Sequence, residues 1–128
     1  MRATEEAALI ADLRHRRREM RRELARVRWW RRLVTARRDL AIAQLMDGEE
    51  LGRLGLSDAW EALAADAPTV SELSDAVWPE ERKSSPTSVE ALAALDARLE
   101  SYETRVADNL ESVTAQMVRA LGQAHRGQ

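Results

Sequence analysis

The sequence predicts an all-α protein, an antiparallel two-helix coiled-coil hairpin with short helices in the connecting segment. Three observations lead there. With 45% hydrophobic and 33% charged residues and no Phe, the chain has the Ala, Leu, Arg and Glu bias of long helices. No alternating Val/Ile/Thr run reads as a strand. Two long stretches free of Gly and Pro flank a middle segment, 48–86, that holds three of the five glycines and all three prolines, the residues that interrupt helices.

The first long helix is expected over about 5–46. Thr4 followed by Glu5 and Glu6 suits a helix start, because a hydroxyl caps free amides and carboxylates meet the positive helix end. Nothing interrupts it before Asp47-Gly48, which makes a rod of ~60 Å at 1.5 Å per residue. An apolar seam runs through Leu9, Leu13, Met20, Leu24, Val27, Val34, Ala41 and Leu45. Arg17, Arg31 and Arg38 fall in register with it. An arginine in a seam either snorkels around the partner helix or points at a bound anion.

The connector, about 47–86, reads as a turn and two or three short helices, partly flexible toward its ERKSSPTS end. Ser57 and Thr69 are candidate caps, the second with Glu72 three residues on as a capping box. Trp60 and Trp78 read as anchors of a small local core.

The second long helix is expected over about 88–122. Thr87-Ser88-Val89-Glu90 supplies a capping box and Gly122 a stop, with AHRGQ as a frayed tail. Its seam steps by three or four from Leu92 through Leu95, Leu99, Tyr102, Val106, Leu110, Val113 and Met117 to Leu121, a packing stripe. Six acids against three arginines between Glu90 and Leu121 make it an electrostatic mate for the first helix. Two helices alone enclose a thin core, so a homodimer or capture by a partner is expected.

Much chemistry is excluded. Cysteine is absent, which removes disulfides, thiolate metal sites and Cys nucleophiles and fits a reducing compartment. His15 and His125 have no spaced ligand set, so no metal site is expected and both read as solvated surface residues. There is no Gly-rich phosphate loop, GxSxG elbow or HExxH. Acids three or four apart on amphipathic helices read as a solvated face. Neither a membrane span nor a signal peptide is apparent. The expectation is a single-domain, cytoplasmic protein that is not an enzyme.

The distinctive feature is charge. From Arg14 to Arg38 there are twelve arginines against Glu19 and Glu23, a net +10 in a chain whose total is −2, so the remainder carries −12. Such asymmetry points to an anionic ligand or partner. Trp29 and Trp30 sit within it, about 100° apart on a helix, so one is expected to pack on the second helix and the other to lie at a boundary. An Arg face with Trp suits nucleic acid through counterion release and base stacking. Against that stand the acidic chain, with a pI near 5.8, and the acidic second helix that can neutralise the first. A purely structural dimerisation module is the other alternative.

Residues 27–40, reading VRWWRRLVTARRDL, resemble the helical signature of RsiG-type anti-sigma factors. These are antiparallel coiled-coil proteins of actinobacteria that bind cyclic di-GMP and hold a flagellar-type sigma factor inactive. The family sets Glu, Ser, Arg, Gln and Asp along one helix face at spacings of 4, 3, 4 and 4. Arg31 matches its Arg and Asp39 its Asp. Arg28 replaces Ser, Thr35 replaces Gln and Leu24 replaces Glu, with Glu23 adjacent. The resemblance implies an anti-sigma factor that sequesters a sigma factor, with cyclic di-GMP as co-ligand on Arg28, Arg31, Thr35 and Asp39.

Overall fold

The computed structural model describes residues 2–46, 66–77 and 85–127. Among these, 94% are helical, in three helices with no strand: α1 (Arg2–Met46), α2 (Val70–Val77) and α3 (Pro86–Arg126). The all-α expectation holds. Ser57, Trp60 and Trp78 lie outside the described residues.

The chain divides into two compact units. The first joins residues 1–34 to 95–128, and in it α1 packs against α3. Arg17 meets Thr114, Glu23 meets Tyr102 and Arg31 meets Asp96. Numbers climb along α1 as they fall along α3, so the two helices run antiparallel, as arms of a hairpin must.

The core of this pair is narrow. Leu24, Val27 and Val106 form its buried cluster, with Leu99, Ala107 and Leu110 packed against it; Leu13 and Val113 are buried farther along. Every one of these except Ala107 belongs to the two seams. The seams fail at their edges, where Leu9, Leu95, Tyr102 and Leu121 are exposed. A pair of helices has only one mutual face, and residues at its margin keep one side in water.

The second unit, residues 35–94, takes in the end of α1, α2 and the start of α3. Ala41, at 1% exposure, is its most buried described residue. Thr69 caps α2 as expected, but the box is only half formed: the Glu72 amide donates to Thr69 Oγ1 at 3.1 Å, while the Glu72 carboxylate accepts from the Thr69 hydroxyl at 3.2 Å in place of the Thr69 backbone amide.

The long helices differ from expectation at their ends. α1 begins at Arg2, so Thr4 lies in its first turn and is not the cap. α3 begins at Pro86, ahead of the expected 88, and its box is built on Ser85. The Ser88 amide donates to Ser85 Oγ at 3.2 Å and the Ser85 amide to Ser88 Oγ at 2.9 Å. Proline has no amide to satisfy and a fixed φ that suits the first helical position, so Pro86 moves the cap two residues upstream of Thr87. At the other end, α3 runs through Gly122 to Arg126. Arg126 Nε donates to the Gly122 carbonyl at 3.2 Å, and His125 and Arg126 place basic groups against the negative end of the helix.

Candidate functional site

The two seam arginines of the first unit resolve the choice between snorkelling and anion binding in different ways. Arg31 is gripped by α3: its Nε donates to Asp96 Oδ1 at 3.2 Å and its Nη1 to Glu103 Oε2 at 3.1 Å, with Glu100 at 3.9 Å from Nη2. Asp96, Glu100 and Glu103 stand four and three residues apart, which stacks them on one stripe of α3. Arg28, itself exposed, adds a weaker contact to the other Glu103 oxygen at 3.5 Å. The guanidinium of Arg31 is held above its ordinary pKa. The Asp96 hydrogen bond is the main cause, and the charges of Asp96, Glu103 and Glu100 reinforce it against partial loss of solvation. Arg17 instead donates its Nε to the Thr114 hydroxyl at 3.2 Å.

A second polar node lies between these two. The Tyr102 hydroxyl donates to Glu23 Oε1 at 2.8 Å, and the other Glu23 oxygen pairs with Arg26 of the same helix. The phenol is held above its ordinary range, first by that hydrogen bond, then by lost solvation and the charge of Glu23; Arg105 and Arg26 oppose the shift. Arg105 sits over the ring, 5.6 Å from its centroid.

Of the four residues named from the sequence, Arg28 and Arg31 converge on Glu103 in the first unit. Thr35 and Asp39 continue along α1, in the second unit, and are exposed. Arg38, the third arginine in register with the seam, has its Nε buried without an acceptor among the described residues. Sequence reasoning gave α3 a complementary charge but did not single out Asp96, Glu103 or Thr114. The i, i+4, i+7 spacing of Asp96, Glu100 and Glu103 was the available signal for the acidic grip.

The two tryptophans depart from expectation. Both are exposed, Trp29 by 47% and Trp30 by 50%, and their rings meet edge to face with centroids 4.7 Å apart. Neither is a core anchor on α3. The seam direction set by Leu24 and Val27 explains this. At 100° per residue, Trp29 points to the far side of α1 and Trp30 falls roughly 90° off the seam. Leu33, one turn on and 43% exposed, extends the same apolar surface.

No family model, curated protein or solved structure matches the chain. Among the described residues, no group of three or more His, Asp or Glu is placed to hold a metal ion, and no helix is long and apolar enough to cross a membrane.

Proposed function

We propose that this chain is a non-catalytic regulator that works by binding another protein through the exposed aromatic face of α1, in the manner of an RsiG-type anti-sigma factor. One observation supports the reading above others: Trp29, Trp30 and Leu33 form an apolar patch outside the seam that joins α1 to α3. Grouped exposed aromatics mark interaction surfaces more often than scattered ones do, and Trp is prominent among residues that dominate binding energy. Because the patch contributes nothing to the buried cluster, the helix pair does not need it for its own core.

The identity of the partner, a flagellar-type sigma factor, rests on the resemblance of residues 27–40 alone. Cyclic di-GMP enters this reading at Arg31, and there the geometry sets a condition. The guanidinium is already spent on Asp96 and Glu103, so an anionic guest has to displace them. A nucleotide would then act by loosening α1 from α3 locally and biasing the arrangement that the partner meets.

The test is gel filtration and calorimetry of the chain with a flagellar-type sigma factor. A complex is expected, weakened by ~2 kcal/mol or more when Trp29 and Trp30 are both changed to Ala, with helicity retained. No complex, or one indifferent to both tryptophans, overturns the reading.

A further inference from the structure

We propose that the cleft formed by Arg14, Arg17 and Arg18 of α1 and Met117 of α3 binds a phosphate group. This site lies in the first unit, toward the start of α1, and does not rest on the sigma-factor reading.

The positive charge of α1 is neutralised unevenly along the helix. Arg16 pairs with Asp12, Arg22 with Glu19 and Arg26 with Glu23, all within the helix, and Arg28 and Arg31 are taken up by acids of α3. Among the described residues, Arg14, Arg17, Arg18, Arg21, Arg32, Arg37 and Arg38 pair with no carboxylate, and of these Arg14, Arg17 and Arg18 share one cleft. Opposite them α3 offers Thr114 and Met117 where it offered Asp96 and Glu103 to Arg31. Glu111, one turn before Thr114, makes no ion pair with them. Neutralisation between the helices is therefore confined to one half of the pair.

The geometry suits an oxyanion. Positions 14, 17 and 18 lie about one turn apart, and with Met117 they line one open cleft of about 280 Å³ whose walls are largely the arginine stems and Met117, with the charged heads free to reach its rim. Arg17 is the organised member. Thr114 holds its Nε at 3.2 Å, which fixes the plane of the fork and leaves the two terminal nitrogens for a bidentate contact with phosphate. Arg14 and Arg18, both exposed, add charge beside it, and Met117 gives an apolar wall for whatever carries the phosphate. The chemistry is that of a phosphoryl or phosphodiester group, from a free nucleotide or from a nucleic-acid backbone.

The experiment follows the arginine Nε–H signals of the full chain by NMR as inorganic phosphate replaces chloride at constant ionic strength. Signals of Arg14, Arg17 and Arg18 are expected to move saturably while Arg31 stays in place. Thr114→Val should weaken binding several-fold without changing the melting temperature, and Arg17→Ala by roughly tenfold. Equal, unsaturating shifts across all exposed arginines, or no effect of either substitution, would overturn the site as mere counter-ion attraction. Two further titrations separate the sources: tighter binding of a nucleoside diphosphate supports a free nucleotide, and affinity growing with the length of a single-stranded oligonucleotide supports a backbone. Failure of all three ligands overturns the proposal.

Discussion

Arg17 and Arg31 stand fourteen residues apart on the seam side of α1, and they meet opposite surroundings on α3. Arg17 Nε ends on the neutral hydroxyl of Thr114, whereas Arg31 ends on Asp96 and Glu103 with Glu100 close by. Fourteen residues are two heptads, so the same register position serves both. Arg31 therefore contributes to holding the helices together, and Arg17 keeps its charge available for something else.

The apolar part of that hold is concentrated in few side chains. Leu24→Ala is expected to cost ~2–5 kcal/mol because it opens a cavity beside Val27 and Val106. Leu9→Ala, on the same seam but half exposed, should change stability by no more than ~0.5 kcal/mol. Urea denaturation followed by circular dichroism checks both, and equal losses at the two positions would contradict the observed core.

Tyr102 is the sole tyrosine, so its ionisation can be followed by absorbance without ambiguity between sites. Ionising it would lose the hydrogen bond to Glu23 Oε1 at 2.8 Å, which is the first reason its pKa is raised, ahead of lost solvation and the Glu23 charge. A group whose folded pKa lies above its unfolded value stabilises the fold fully below the unfolded value, about 10, and loses that contribution as pH rises through the folded one. The midpoint is accordingly expected above that of a free tyrosine, and Glu23→Gln should bring it down toward the ordinary range. A midpoint unmoved by Glu23→Gln would remove Glu23 as the cause.

The helix pair was legible because its signals repeat. Leucines and valines at intervals of three and four state the seam many times over, and the acids of α3 stand against the arginines of α1 in total charge. What stayed hidden depends on single atoms. A helical Thr such as Thr114 gives no sign that its hydroxyl faces an arginine across 3.2 Å, and total charge does not say that Arg31 is neutralised while Arg14 and Arg18 are not. The 100° between the two tryptophans does not by itself place either one; the angle of each to Leu24 and Val27 turns both away from α3. At the start of α3 the T-x-x-E pattern points to Thr87, and Pro86 at the first helical position gives the cap to Ser85 instead.

That decision can be measured. Ser85 satisfies the Ser88 amide and receives the Val89 amide on its carbonyl, whereas Thr87 is an exposed residue inside the first turn. Ser85→Ala should destabilise the start of α3 by ~1 kcal/mol, and Thr87→Ala should leave it nearly unchanged. Amide hydrogen exchange of residues 88–92 gives the comparison locally, and the reverse order of protection would restore the cap to Thr87.

Nucleotide binding at Arg31 is a competition with the acids of α3. If cyclic di-GMP is the co-ligand, its phosphates and guanine edges have to win the guanidinium from Asp96 and Glu103. Removing a competitor favours the guest, so Glu103→Gln should tighten nucleotide binding and at the same time lower the melting temperature of the free protein, since Arg28 and Arg31 both lose a partner. Arg31→Ala should abolish binding. The opposite signs of the two Glu103→Gln effects separate this mechanism from a merely structural ion pair, for which stability falls and no ligand responds. Calorimetry at micromolar nucleotide decides the first effect and a thermal melt the second. Salt should shrink the stability difference, because at 1 M the Debye length is only ~3 Å and the exposed Arg28–Glu103 contact is screened before the half-buried Arg31–Asp96 bond.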